Sequence, residues 1–145
     1  MTGMTGVTGP TAPAVTANNM FAIHAISQSN VATGAPIPLD TYNFNGTAIQ
    51  PGPNGTIRLA ANQQYYVDYR VNGSNATGTT GIGAILTLNG NPVGSTNSGS
   101  LTQGSQTTVS GNAIITTTTA SNLGLRNLVG GSNIGNSAVS VIKLA

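Results

Sequence analysis

Residues 64–72 read Gln64-Tyr65-Tyr66-Val67-Asp68-Tyr69-Arg70-Val71-Asn72, and their alternation decides the fold class. Successive side chains of an extended chain point to opposite faces. Tyr65, Val67, Tyr69 and Val71 therefore share one side, and Tyr66, Asp68 and Arg70 the other. An aromatic and β-branched stripe backed by a more polar one marks a strand buried on one face.

The composition around that stretch agrees. Charged residues make up 4% of the 145 residues, against about 25% in an ordinary soluble domain. There is no Glu, so the polar surface must come from Thr, Ser, Asn and Gln. An apolar content of 38% argues against disorder, which couples low hydrophobicity to high charge. Gly, Thr and Asn are poor helix formers. The chain reads as one all-β domain with a tail. Its basic residues, Arg58, Arg70, Arg126 and Lys143, are scattered, which gives a nucleic-acid role no cluster to work with. Without Cys there is neither a disulfide framework nor a thiolate metal site. No apolar run is long enough to span a membrane, and the N-terminus lacks the regions of a signal peptide.

Outward from the central stretch the same logic places further strands. Met20–Ser27 has Phe21, Ile23 and Ala25 on one face and Ala22, His24 and Ile26 on the other, so it is expected to be covered on both sides. Residues 30–38 read as a loop punctuated by Gly34, Pro36 and Pro38. Short extended pieces follow at Tyr42–Asn45 and Thr47–Gln50, then a turn over residues 51–55. Thr56–Ala60 turns Ile57 and Leu59 inward.

Gly73–Gly81 reads as a loop, and Ile82–Leu88 as a strand apolar on both faces. Asn89-Gly90 is a type I′ hairpin signal, with a return strand over Pro92–Thr96 and Pro92 at its start or edge. A polar loop over residues 97–106 leads to the long strand Thr107–Thr119, in which Gly111 is expected to mark a bulge. Leu123–Val129 and Ser137–Ala145 complete the set, the last apolar on both faces and suited to a central position. Eight or more short strands at this spacing predict a sandwich or jelly roll. The second apolar faces of Met20–Ser27, Ile82–Leu88 and Ser137–Ala145 are where core and subunit contacts are expected.

Ahead of the strands, glycine returns at Gly3, Gly6 and Gly9 in the triplets Gly3-Met4-Thr5, Gly6-Val7-Thr8 and Gly9-Pro10-Thr11, and the period stops at Ala12. Period-three glycine is the mark of the collagen triple helix, whose crowded axis admits only glycine. So few triplets cannot hold a triple helix by themselves; they label the place where a stalk joins. The expected organisation is a collagen-like tail over residues 1–11, a linker over 12–19 and a head over 20–145.

Together these features resemble the C-terminal heads of bacterial collagen-like exosporium glycoproteins of the BclA type, which are related in fold to the C1q and tumour-necrosis-factor heads. The resemblance rests on the Gly-x-Thr triplets, the strand Tyr65–Val71, the hairpin Leu86-Thr87-Leu88-Asn89-Gly90-Asn91-Pro92-Val93, and the run from Leu123-Gly124-Leu125 through Ala138–Lys143. It implies a jelly-roll β-sandwich of the C1q/TNF-like type that is homotrimeric and caps a collagen-like stalk on the outside of a spore. It also implies O-glycosylation at Thr5, Thr8 and Thr11. Partners would be two further copies of the chain and basal-layer proteins of the spore surface, reached through the stalk. The glycine repeat is much shorter than in that family.

Residues expected in the core or at a trimer interface are Phe21, Ile23, Tyr65, Val67, Tyr69, Leu86, Leu88, Val139 and Val141. The functional expectation is a structural surface protein. The other class weighed is a receptor- or carbohydrate-binding adhesin tip, a phage fibre head included, acting through the loops.

Catalysis is poorly provisioned. The chain has one His, His24, and two carboxylates, Asp40 and Asp68. No nucleophile elbow is present, and nothing in the sequence brings the carboxylates together as a glycosidase pair requires. Asp68 is expected to pair with Arg70 on its own strand face. One His and no Cys cannot make a transition-metal site within one protomer, although three copies of His24, Asp40 or Asp68 on a threefold axis could gather an ion; no enzyme activity, cofactor or metal is expected. The Asn-x-Ser/Thr matches at Asn45, Asn54, Asn72 and Asn75 read as turn markers.

Overall fold

The computed structural model describes residues 17–75, 81–93, 98–99 and 106–144. In chain order the strands are β1 (Asn19–His24), β2 (Gln28–Val31), β3 (Pro36–Ile37), β4 (Thr41–Asn45), β5 (Ile49–Pro51), β6 (Ile57–Leu59) and β7 (Gln63–Asn75). Then follow β8 (Gly83–Leu88), β9 (Asn91–Pro92), β10 (Ser98–Gly99), β11 (Thr107–Thr117), β12 (Ser121–Asn127) and β13 (Ser132–Lys143). They form two antiparallel sheets. A 6-stranded sheet runs β11-β7-β13-β1-β4 with β2 beside β13, and a 7-stranded sheet runs β10-β8-β12-β6-β5 with β3 and β9 at its margins.

The core lies between the sheets. From the first sheet, Met20, Ala22, Tyr65, Val67, Tyr69, Val71, Val139 and Val141 face Ile57, Leu59, Leu86, Leu123 and Leu125 of the second. The alternation of residues 64–72 thus corresponds to β7, whose Tyr65, Val67, Tyr69 and Val71 are all buried. The tyrosines bury their rings and place their hydroxyls on carbonyls of the opposite sheet and its loops. Tyr69 Oη donates to Ala84 O at 3.0 Å, and Tyr65 Oη reaches Ala48 O at 3.1 Å and Ala60 O at 3.2 Å. Burial pushes the Tyr69 phenol up to about 12.

The Asn89-Gly90 turn is present as expected. Both residues have positive φ, 51° and 81°, and Leu88 pairs with Asn91 across it. Pro92 sits on the short marginal strand β9, and residues 94–96 of the expected return strand lie outside the described residues. The final strand β13 is central, flanked by β7 and β1.

Several boundaries differ from the sequence reading. The first strand stops at His24 because the amides of Ala25 and Ile26 turn onto the Asp40 carboxylate, at 3.1 and 3.4 Å. The loop read over residues 30–38 carries the end of β2 and all of β3. Residues 73–75 extend β7, and β13 begins at Ser132, because Ser132 pairs with Asn75 and Ile134 with Gly73. Long ladders override the turn preference of Gly, Ser and Asn there.

The bulge expected at Gly111 is absent: Ser110, Gly111 and Asn112 pair in unbroken register with Arg70, Tyr69 and Asp68. The irregularity lies instead in β13, between Ile134 and Ser137. Gly111 serves another purpose, since a β-carbon there would lie 2.8 Å from Tyr69 Cε1.

Candidate assembly face

The outer side of the 6-stranded sheet is built by the residues that alternate with the core. Three rows cross it. The first runs Ile114, Tyr66, Ile142, Asn19; the second Asn112, Asp68, Ser140, Phe21; the third Ser110, Arg70, Ala138, Ile23. Its apolar members are open: Ile114 is 63% exposed, Phe21 50%, Ile142 38% and Tyr66 37%. Between Phe21 and Arg70 the small residues Ala138 and Ser140 floor a depression of about 420 Å³. Asp68 and Arg70 lie on this face but do not pair, and among the described residues neither has an ion-pair partner within 4 Å. The pairing expected from sequence is not made, although residues two apart on a strand are separated by only roughly 7 Å.

The expected core and interface residues divide between the two sides. Tyr65, Val67, Tyr69, Leu86, Val139 and Val141 are buried inside the sandwich, and Leu88 is half-buried at its margin. Only Phe21 and half-buried Ile23 belong to the outer face. The double covering expected of the first strand is not seen within one chain, because Phe21 projects from it. The second face of Ile82–Leu88 is a different case: its Ile85 and Thr87 are already covered within the chain, at 8% and 7% exposure. Sequence reasoning missed Tyr66, Ile114 and Ile142 as one row, since only strand register aligns them. Gly3, Gly6, Gly9, Thr5, Thr8 and Thr11 lie outside the described residues.

His24 is 2% exposed and points inward from the end of β1. Its Nδ1 lies 2.7 Å from Pro38 O; a carbonyl only accepts, so Nδ1 carries the proton. Asp40 lies 3.7 Å from that nitrogen, and Nε2 is buried with no hydrogen-bond partner. Ser137 is the register partner of His24, which sets Ser, His and Asp side by side. They do not form a triad. The Ser137 hydroxyl is buried and turned to Gly135 O, whereas a triad needs it on the imidazole.

Burial alone would raise the Asp40 carboxyl. Hydrogen bonds from the Thr41 hydroxyl and the Ala25 and Ile26 amides, with His24 nearby, hold it below its ordinary value instead. Asp68 lies three strands from the β4 edge that Asp40 leads into, a separation of roughly 14 Å. The two carboxylates are not brought together. Among the described residues no three His, Cys, Asp or Glu side chains gather as a metal site, and no helix is long and apolar enough to cross a membrane.

This two-sheet arrangement recurs in solved structures. Murine APRIL superposes with a TM-score of 0.68 at 8% identity, over 88% of this chain and 98% of its own. The globular domain of zebrafish complement 1qA gives 0.65 at 13% identity, over 88% and 95%. Eiger TNF from S. frugiperda gives 0.62 at 12% identity, over 88% and 92%. The fold is a C1q/TNF-like jelly roll. No protein-family model and no curated protein matches the sequence. Within the C1q/TNF-like sandwich, the candidate assembly face is the outer surface of the sheet that holds β13 at its centre.

Proposed function

We propose that this C1q/TNF-like domain is a non-enzymatic trimerising head, which sets the register of an attached Gly-x-Thr stalk and caps it on the outer surface of a bacterial spore. The observation that carries the reading is the row Ile114, Tyr66, Ile142 with Phe21 beside it, open to solvent on a sheet face that also carries Asp68 and Arg70. A contiguous apolar face on a soluble domain is a contact surface. Asp68 and Arg70, without an ion-pair partner among the described residues, offer complementary charges to a neighbouring copy. A threefold head also answers the needs of the tail, because a triple helix must align three chains before it propagates. Burial of this face supplies stability that a chain without disulfides and nearly without ion pairs lacks.

Sedimentation equilibrium at micromolar concentration tests the assembly, with a mass of three chains expected and a monomer refuting it. The stalk role is tested by exchanging the head for a monomeric domain after a longer Gly-x-Thr repeat. Collagen-like circular dichroism should then disappear; its survival would refute the register-setting role. Immunogold labelling of sectioned spores tests the location, and label confined to the spore interior would exclude it.

A further inference from the structure

The opposite side of the molecule carries a second, separate site. On the outer surface of the 7-stranded sheet a groove of about 520 Å³ runs between the Pro53–Gly55 turn and the Asn89-Gly90 hairpin. That volume is in the usual range of small-ligand sites. Both walls are tied down. The Pro53–Gly55 turn is held by Leu39 N to Gly55 O, Gly52 N to Thr56 O and the Tyr42 hydroxyl to Thr56 O, at 2.9, 2.9 and 3.3 Å. The hairpin is held by Asn89, which accepts from Asn122 N and donates to Ser121 Oγ, and by Arg126, whose guanidinium donates to Gly90 O at 2.6 Å. A rigid groove of this kind binds without paying to order its walls.

The floor is opened by Gly124, an interior residue of β12. Its φ is not in the left-handed region, so the backbone does not require glycine; a β-carbon there would lie 3.2 Å from Thr87 Oγ1. Glycine inside a strand without a conformational need marks a place where another group approaches closely, and at Gly124 those groups are Thr87 Oγ1 and Thr56 Cγ2, at 3.2 and 3.4 Å from a β-carbon there. The polar groups around it are unspent. Among the described residues the side chains of Asn54, Asn122 and Thr87 make no hydrogen bond, although Thr87 is only 7% exposed. Amides and hydroxyls both donate and accept, which matches neighbouring sugar hydroxyls. Pro36 and Pro53 add flat apolar surface for the C–H faces of a ring.

The charge lining the groove has one sign. Arg126 lines the groove, and Arg58 stands on the same sheet face opposite Asn122. Neither carboxylate of the chain lines the groove: Asp68 is on the other sheet, and Asp40 accepts the amides of Ala25 and Ile26 beyond the end of β1. Arg126 spends one N–H on Gly90 and keeps others for a carboxylate.

We infer that this groove binds an oligosaccharide bearing a carboxylate, with Arg126 on the acid and Asn54, Asn122 and Thr87 on the hydroxyls. The site lies within one chain and away from the assembly face, so it stands or falls independently of the oligomeric state.

The test is an amide NMR titration of the full chain with 3′-sialyllactose, with trigalacturonate and with neutral lactose. Saturable shifts at residues 87, 122 and 126 with at least one acidic sugar are expected, with lactose about tenfold weaker or more. A response to only one of the two acids identifies the sugar type. Arg126→Gln should weaken the acidic sugar about tenfold or more and remove its preference over lactose, while Gly124→Val, by filling the floor, should abolish both. No saturable shift by about 10 mM, shifts mapping elsewhere, equal affinity for lactose, or full affinity in Arg126→Gln would each overturn the assignment. If Gly124→Val does not fold, Arg126→Gln decides alone.

Discussion

Tyr69 and Gly111 are register partners on β7 and β11, and the Tyr69 ring occupies the space a side chain at 111 would need. A β-carbon there would lie 2.8 Å from Cε1 and 3.0 Å from the hydroxyl. The ring cannot retreat, because its hydroxyl is anchored on Ala84 O in the opposite sheet. Glycine in a strand ordinarily costs stability, and here it is what lets a buried tyrosine bridge the two sheets.

Gly111→Ala should therefore destabilise the domain, by roughly 1–3 kcal/mol as overpacked cores do. The expected sign is opposite to the usual gain from replacing glycine within a strand. Urea denaturation checks it: a lower midpoint with an unchanged slope is expected.

Asn127 is fully buried, and its side-chain amide donates to Val31 O, Ala32 O and Val129 O at 3.0, 3.1 and 2.6 Å. It ties the end of β12 to the loops after β2 and before β13. Asn127→Ala leaves those carbonyls without this donor and should cost roughly 2–3 kcal/mol. Asn127→Asp should cost more, since it turns a carboxylate toward carbonyl oxygens. Thermal unfolding of the two variants provides the comparison.

The Asp40 carboxyl is held below its ordinary 3.8 in the folded state. A group with a depressed folded pKa contributes stability above the unfolded value and loses it as pH falls through the folded value. Wild-type stability should thus decline below about pH 3.8. Asp40→Asn should be less stable at neutral pH and show a flatter acid limb, read from denaturation midpoints across that range. An identical acid limb in both proteins would contradict the assignment.

Charge placed in the apolar row should undo assembly. Tyr66→Asp and Ile142→Asp are expected to sediment as monomers at concentrations where the wild type is trimeric. Ile26 is 69% exposed but lies on the loop beyond β1, off the face. Ile26→Asp should leave the sedimentation unchanged. Circular dichroism of each variant separates lost assembly from lost folding.

Much of the fold was legible before any coordinates. The period of two in β7 assigned Tyr65, Val67, Tyr69 and Val71 to the core, and the hairpin at Asn89-Gly90 followed from its need for positive φ. Those are local properties: alternation and turn chemistry depend on residues a few positions apart. The second faces of β1 and β13 read as apolar for the same reason, although alternation alone does not separate their core residues from the outward ones.

What only the tertiary structure decided depends on partners far away in the chain. Gly111 reads as a bulge until Tyr69 is placed beside it, and Gly73 to Asn75 read as loop until β13 pairs with them. Ile114, Tyr66 and Ile142 become one row through the registers of β11 with β7 and β7 with β13. The groove around Gly124 likewise gathers residues from 34 to 126. Alternation says which residues share a face of one strand. Which strands lie side by side, and in what register, is set by cross-strand pairing and by closure of the sandwich, and no local pattern encodes that.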